Sequence, residues 1–253
     1  MTNDLQKANL WKRIAAWLFD SILLGIVAVA FGVLLSALLG YDSYSQAVDR
    51  AYETYETQYG VTFEITQEEY LAMDETERAN YCAAYDALIA DQEAMEAYNM
   101  MLNLTLVILT LSILLAVMSM EWLIPLSMGN GQTLGKKIFS LCVIRTDSVK
   151  LNNMQLFVRS ILGKYTIEIM IPVLILLMVF WGTMGVAGTL ILGVLGCVQL
   201  ASLIFTRTNS AIHDLMAGTC VVDYSSQTIF RTTEDLIAYQ KQVAADRAAR
   251  QPY

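Results

Sequence analysis

KRIAAWLFDSILLGIVAVAFGVLLSALLG, Lys12 to Gly40, has the length and apolar character of a membrane-spanning helix, yet it carries a carboxylate, Asp20, near its start. A charged side chain in hydrocarbon costs roughly 2.5–3.5 kcal/mol on insertion scales, so it persists where a partner or a function holds it. The apolar run from Trp17 to Leu39 is longer than the core of a cleaved leader, and Lys7, Lys12 and Arg13 precede it. It reads as a retained signal-anchor helix. The remaining sequence is therefore read as that of a membrane protein and searched for the partner of Asp20.

The composition agrees. The 253 residues are 56% hydrophobic and 16% charged, with a mean hydropathy of +0.47, too apolar for a soluble domain of this length. Further apolar runs lie at about 100–120, 165–182 and 187–205, each near the roughly 20 residues that a bilayer requires. The last two share one block, Tyr165 to Phe205, interrupted by WGTMGVAG, where Gly182, Gly185 and Gly188 allow a tight turn. That makes four spans. The segment 41–99 holds fourteen Asp and Glu against Arg50 and Arg78, whereas 127–164 holds Lys136, Lys137, Arg145, Lys150, Arg159 and Lys164 against Asp147. The basic loop is expected in the cytoplasm, with both termini beside Lys7, Lys12, Arg13, Arg207 and Arg231.

The acidic segment reads as a helical hairpin over the outer mouth. Tyr52, Tyr55 and Tyr59 share a helix face, Thr66 and Glu69 fit a capping box, and GVTFEIT is extended. The capping box is expected to open one second helix containing Tyr81, Tyr85 and Leu88, placed to continue into the second span through Tyr98 and Met100. Its charge reads as a solvated acidic surface, or else as an attractor for cations. In the basic loop, GNGQTLGKK lacks two required positions of a phosphate loop, at Asn130 and Lys137, so nucleotide binding is rejected. KIFSLCVIRTDSVKL, with a turn at Asp147-Ser148, and TCVVDY, Thr219 to Tyr224, predict a small sheet. Of the four cysteines, Cys82 alone falls outside the cytoplasm; Cys142, Cys197 and Cys220 read as small core hydrophobes. One His and no CxxC pair argue against a structural metal site.

Comparing depths, Asp20, Glu121 and Glu168 fall in one leaflet, at the face that also holds Arg13, Arg159, Lys164 and His213-Asp214. This is the candidate intramembrane polar cluster: Arg13, Asp20, Glu121, Arg159, Glu168, His213 and Asp214. Arg13 and Asp20 share a helix face but stand about 10 Å apart along the axis, so each is expected to pair across helices. Arg159 is the best-placed partner for Asp20 or Asp214, because a guanidinium holds a carboxylate bidentately and stays charged. Plainer readings stand beside these. Arg13, Trp17 and Lys164 serve as interfacial anchors, Glu121 and Glu168 reach the headgroups, His213 caps or orients a final turn instead of relaying protons, and Asp20 fixes helix packing through a salt bridge.

Arg13, Ala16 and Asp20, then GQTLGKKIFSLCVIRTD with Arg159, then HDLMAGTCVV with Asp214, together resemble the RDD family of bacterial membrane proteins, named for one arginine and two aspartates. The resemblance covers about 7–40 and 100–224. By position it implies Arg13 as the arginine, Asp20 as the first aspartate and Asp214 as the second. The acidic loop is longer than the family pattern and the tail lies beyond it. The expected fold is an all-α polytopic membrane protein with four transmembrane helices, an extracytoplasmic helical hairpin and a small cytoplasmic β element. Its parts are a first helix (7–40), an acidic insert (41–99), the remaining membrane domain (100–224) and a cytoplasmic tail (225–253).

The expected activity is that of a small transporter or transporter subunit for a cation, proton or small solute in the bacterial inner membrane, working around Asp20. The alternative is a non-transporting adaptor that binds lipid or protein. No HExxH, GxSxG or credible Ser/His pair suggests an enzyme, and no cofactor is expected. Expected partners are membrane lipids, a second copy of the chain and a small cation or proton, and no nucleic acid.

Overall fold

In the computed structural model, residues 8–206 and 208–250 are described; Lys7 and Arg207, counted above in the charge balance, lie outside them. Along the chain run α1 (Leu10–Leu39), α2 (Tyr41–Tyr59), α3 (Gln67–Ala72), α4 (Glu75–Ala90), α5 (Gln92–Met128), α6 (Leu134–Ile138), β1 (Leu141–Arg145), α7 (Asn153–Phe180), α8 (Gly185–Phe205), α9 (Ile212–Ala217), β2 (Thr219–Asp223) and α10 (Thr233–Arg250). Four of these, α1, α5, α7 and α8, are long and apolar enough to cross a membrane. The apolar block at 165–205 breaks at Trp181–Met184, where the Trp181 and Thr183 N–H groups bond back to Leu177 and Met178 carbonyls and end α7. Ile22, Ile26, Val29 and Val33 on α1, like Phe180 and Phe205, are exposed. In a bilayer such a wall faces lipid, which resolves what would be an aggregation surface in water.

Two stretches of these helices are not α-helical. Met118–Leu123 in α5 and Val158–Met170 in α7 wind as π-helix, so that the Ile124 N–H bonds to Ser119 and the Ile171 N–H to Thr166, five residues back. Such stretches are rare and cluster at functional sites. Here they contain Glu121 in one case and Arg159, Lys164 and Glu168 in the other.

The chain divides into two units, residues 29–112 and the remainder. In the first, α2 packs on α4 through Val48, Ala84 and Leu88, with Tyr52, Phe63, Tyr70 and Tyr81 stacked edge to face. The Thr66–Glu69 capping box exists, but it opens only the short α3, and a second box, Asp74–Glu77, opens α4. Nor does α4 continue into the span. The Asp91 carboxylate accepts from the Glu93 and Ala94 N–H groups and restarts the helix as α5, while its other oxygen accepts from the Tyr55 hydroxyl at 3.0 Å.

In the second unit, β1 and β2 pair antiparallel with Cys142 opposite Val222 and Ile144 opposite Cys220, the sheet expected from sequence. One face, Leu141, Val143 and Val221, packs on Ala16 of α1; the other is Cys142, Ile144, Cys220 and Val222. Burial pushes the Cys142 and Cys220 thiols up to about 12. Cys197, expected in the core, is exposed on α8. Val149, Phe230 and Leu236 tie the start of α10 to the sheet.

Candidate functional site

Among its described residues, α1 buries two side chains, Ala16 and Asp20, one turn apart. They face the start of α6. Asp20 Oδ2 accepts from the Thr133 hydroxyl at 2.5 Å and Oδ1 from the Gly135 N–H at 2.8 Å, and the Lys136 ammonium lies 3.8 Å away. Thr133 is itself the N-cap of α6 and accepts from the Lys136 N–H. The carboxylate therefore satisfies donors that a helix start leaves free. A Cβ on Gly135 would sit 2.5 Å from the Ala16 carbonyl and 2.9 Å from the Asp20 carboxyl, so GQTLGKK approaches α1 only because glycine stands there.

This corrects the arginine pairing expected for Asp20. Neither Arg13 nor Arg159 forms an ion pair with it, because hydroxyl and backbone donors already fill its oxygens. Arg13 instead donates to the Asn209 carbonyl at 2.6 Å, fixing the turn after α8, where Asn209 adopts a left-handed conformation (φ 51°) and its amide donates to Leu203.

Arg159 is buried in a separate centre. Its Nε donates to Asp214 Oδ1 at 2.9 Å, and its Nη2 lies 2.9 Å from His213 Nε2. The other ring nitrogen, Nδ1, is 2.7 Å from Glu168 Oε2, while Glu168 Oε1 accepts from the His213 N–H and the Gln199 amide of α8. Asp214 Oδ1 also accepts from the Thr219 hydroxyl. On the opposite side of Arg159, Glu121 pairs with Lys164, and the Ser160 hydroxyl donates to the Glu121 carbonyl at 2.6 Å. Glu121 and Glu168 are thus enclosed by protein, not reaching outward, and Lys164 is an ion-pair partner, not a surface anchor. Gly163 allows the approach of α9: a Cβ there would lie 2.6 Å from the His213 Cβ.

Winding explains how one helix supplies three of these charges. A π-helix has about 4.4 residues per turn, so residues five and nine steps on return to within roughly 50° and 20° of the first, whereas an α-helix would put them roughly 140° and 180° away. Arg159, Lys164 and Glu168 share a face only in the first case.

A guanidinium has donors and no acceptor, so His213 Nε2 must accept from Arg159. The ring is then neutral, with its proton on Nδ1 and donated to Glu168. The acids Asp20, Glu121, Glu168 and Asp214 face the bases Arg13, Lys136, Arg159 and Lys164, four against four, and the balance is met without His213. Burial pushes the Lys136 ammonium down to about 8 against the opposing pull of Glu121. Burial alone would raise the Asp214 carboxyl, but the Arg159 charge and hydrogen bond, with the Arg13 charge beyond, outweigh it and hold the group below the usual carboxylate range. Among the described residues, four buried atoms of this centre have no hydrogen-bond partner: Glu121 Oε2, Arg159 Nη1, Asp214 Oδ2 and Gln199 Oε1. No group of three or more His, Cys, Asp and Glu among the described residues is arranged to hold a metal ion.

Six of the seven residues picked from sequence lie at one of the two buried centres, and Arg13 bonds to the turn preceding α9. Thr133, Gly135 and Lys136 were not among those seven; their signal was an N-cap Thr before an apolar residue, in a stretch read as a rejected phosphate loop, as basic charge and as part of the family resemblance, but not as a partner for Asp20. Ser160, Gln199 and Thr219 were also absent, being single polar residues with no pattern.

Four apolar helices and a two-stranded sheet, joined by charges buried near one end of the spans, define a polytopic membrane protein. The RDD family model matches residues 7–218, and the chain belongs to the RDD family. No curated protein and no solved structure matches it.

Proposed function

We propose that this RDD family protein moves a proton or small cation across the membrane, and that its working centre is Arg159, His213, Asp214, Glu168 and Glu121 rather than Asp20. The observation that carries this is the neutral His213 held between Glu168 and Arg159, beside buried carboxylate oxygens of Asp214 and Glu121 that lack partners. Ionisable residues inside a span are costly and mark ion or proton routes, and imidazole is the side chain whose ordinary titration lies nearest neutrality. Asp20 serves the fold instead, holding the 133–136 turn against α1.

In this reading the basic 127–164 stretch and both termini face the cytoplasm and the 41–99 segment faces outward, supported by six Lys and Arg in the first against two in the second. The non-transporting adaptor is favoured by a different observation, the pairing of most of the buried charges. Flux decides between them. Purified protein in vesicles with a pH-sensitive dye inside is expected to relax an imposed cation or pH gradient, and His213→Gln is expected to slow that relaxation at least tenfold while inserting normally. A wild-type protein no faster than empty vesicles, across Na+, K+ and proton gradients, refutes transport.

A further inference from the structure

We infer that Arg159 is the moving part of a proton switch, exchanging Asp214 and His213 for Glu121 when His213 takes up a proton. The unpartnered atoms are already placed for both ends of the exchange. His213 Nε2 lies 2.9 Å from Arg159 Nη2, from which it accepts, and 3.7 Å from Asp214 Oδ2, which has no partner. Arg159 Nη1 also has no partner and lies 4.0 Å from Glu121 Oε2, likewise without one. A proton arriving from water at the Nε2 lone pair makes an imidazolium, with donors at both nitrogens. Two N–H groups then point at each other across 2.9 Å, an arrangement with no acceptor between them. A vacant acceptor for the new N–H stands 3.7 Å away at Asp214 Oδ2, and one for the displaced guanidinium 4.0 Å away at Glu121 Oε2. Each receiving oxygen costs free energy while it stays buried and unpaired, so the exchange satisfies in one state what the other leaves bare.

The surrounding charges permit this. From α7 the ring meets Glu168, which keeps its Nδ1 bond in both states, and Arg159. From its own helix it meets Asp214, whose charge is also offset by Arg13 of α1. The β2 neighbour Thr219 and the α8 neighbour Gln199 are uncharged. Glu121 of α5 is shared with Lys164 and feels Lys136 of α6, so the arriving guanidinium competes with two ammonium groups for one carboxylate. The only covalent change is the new N–H at Nε2; everything else is an exchange of hydrogen bonds. The result is that one proton taken up at α9 moves a positive charge from the α7–α9 contact toward α5. As a step in transport this rests on the function proposed above; as a movement of charge it does not.

His213 is the only histidine in the chain, so ring-15N histidine gives a single imidazole in the spectrum. The wild-type protein, reconstituted in bilayers with 15N-histidine and 13Cζ-arginine, is titrated by solid-state NMR while the distance-dependent coupling between the two labels is recorded. At high pH the expected state is the neutral Nδ1–H tautomer with strong coupling to one arginine carbon. On acidification the imidazolium signal should replace it, and the arginine coupling should fall by at least half in the same step. An Nε2–H tautomer at high pH, protonation with the arginine coupling unchanged, or no protonation down to the pH at which the fold is lost would each overturn the switch. The measurement needs no flux, so a protein that switches without transporting defeats the proposed function alone.

Discussion

Lys136 shows how a single residue connects the two centres. Its ammonium is 3.8 Å from Asp20 and its charge is felt by Glu121, yet burial drives its affinity for a proton down, to about 8. A lysine in the unfolded chain titrates near about 10.4, so between those values the unfolded state binds more protons than the folded one, and stability rises with pH. Melting of the detergent-solubilised protein from about pH 7.5 to about pH 10.5 should therefore show the wild type gaining on Lys136→Gln as pH rises. A difference that stays flat or shrinks would mean that the ammonium is not enclosed. Asp214 works in the opposite sense: held low, it contributes stability that is present above the ordinary carboxylate range and lost as acid protonates it.

At the level of elements, two glycines decide where helices meet. Gly135 lets α6 reach α1 and Gly163 lets α9 reach α7: a methyl group at Gly135 would collide with the Ala16 carbonyl and the Asp20 carboxyl, and one at Gly163 with the Cα and Cβ of His213. Gly163→Ala and Gly135→Ala should each destabilise by about 1–3 kcal/mol or more, the range for overpacking a filled site. Gly193→Ala on α8, where a Cβ meets nothing within 4 Å, should be neutral or slightly stabilising. Equal losses at all three positions would contradict the packing described. The same elements show what was legible in the sequence. Spans of about 20 apolar residues, the WGTMGVAG turn and the Cys-Val strands follow from length, glycine and β-branched content. The π-helical face did not, since a period of about 3.6 sets Arg159 and Glu168 on opposite sides. The partner of Asp20 was missed for another reason: an N–H at a helix start is invisible in a search for opposite charge.

For the whole molecule, topology is the first consequence. Cys82 is exposed on α4, while Cys142 and Cys220 are buried thiols held in the protonated form and Cys197 lies on a span. An impermeant maleimide added to intact cells should label the wild-type chain once, at Cys82, and Cys82→Ser should abolish the label. Labelling that appears only after the cells are opened would invert the proposed orientation.

The molecule as described has two separate buried centres, one binding Asp20 to the 133–136 turn and one binding Arg159 to Asp214, and a pair of double-mutant cycles on thermal stability tests this division most directly. Arg159→Gln combined with Asp214→Asn should cost less than the sum of the single changes by about 1–3 kcal/mol, the coupling of residues in one network. Arg159→Gln combined with Asp20→Asn should be additive to within about 0.5 kcal/mol. Strong coupling between Arg159 and Asp20, with none between Arg159 and Asp214, would contradict the account.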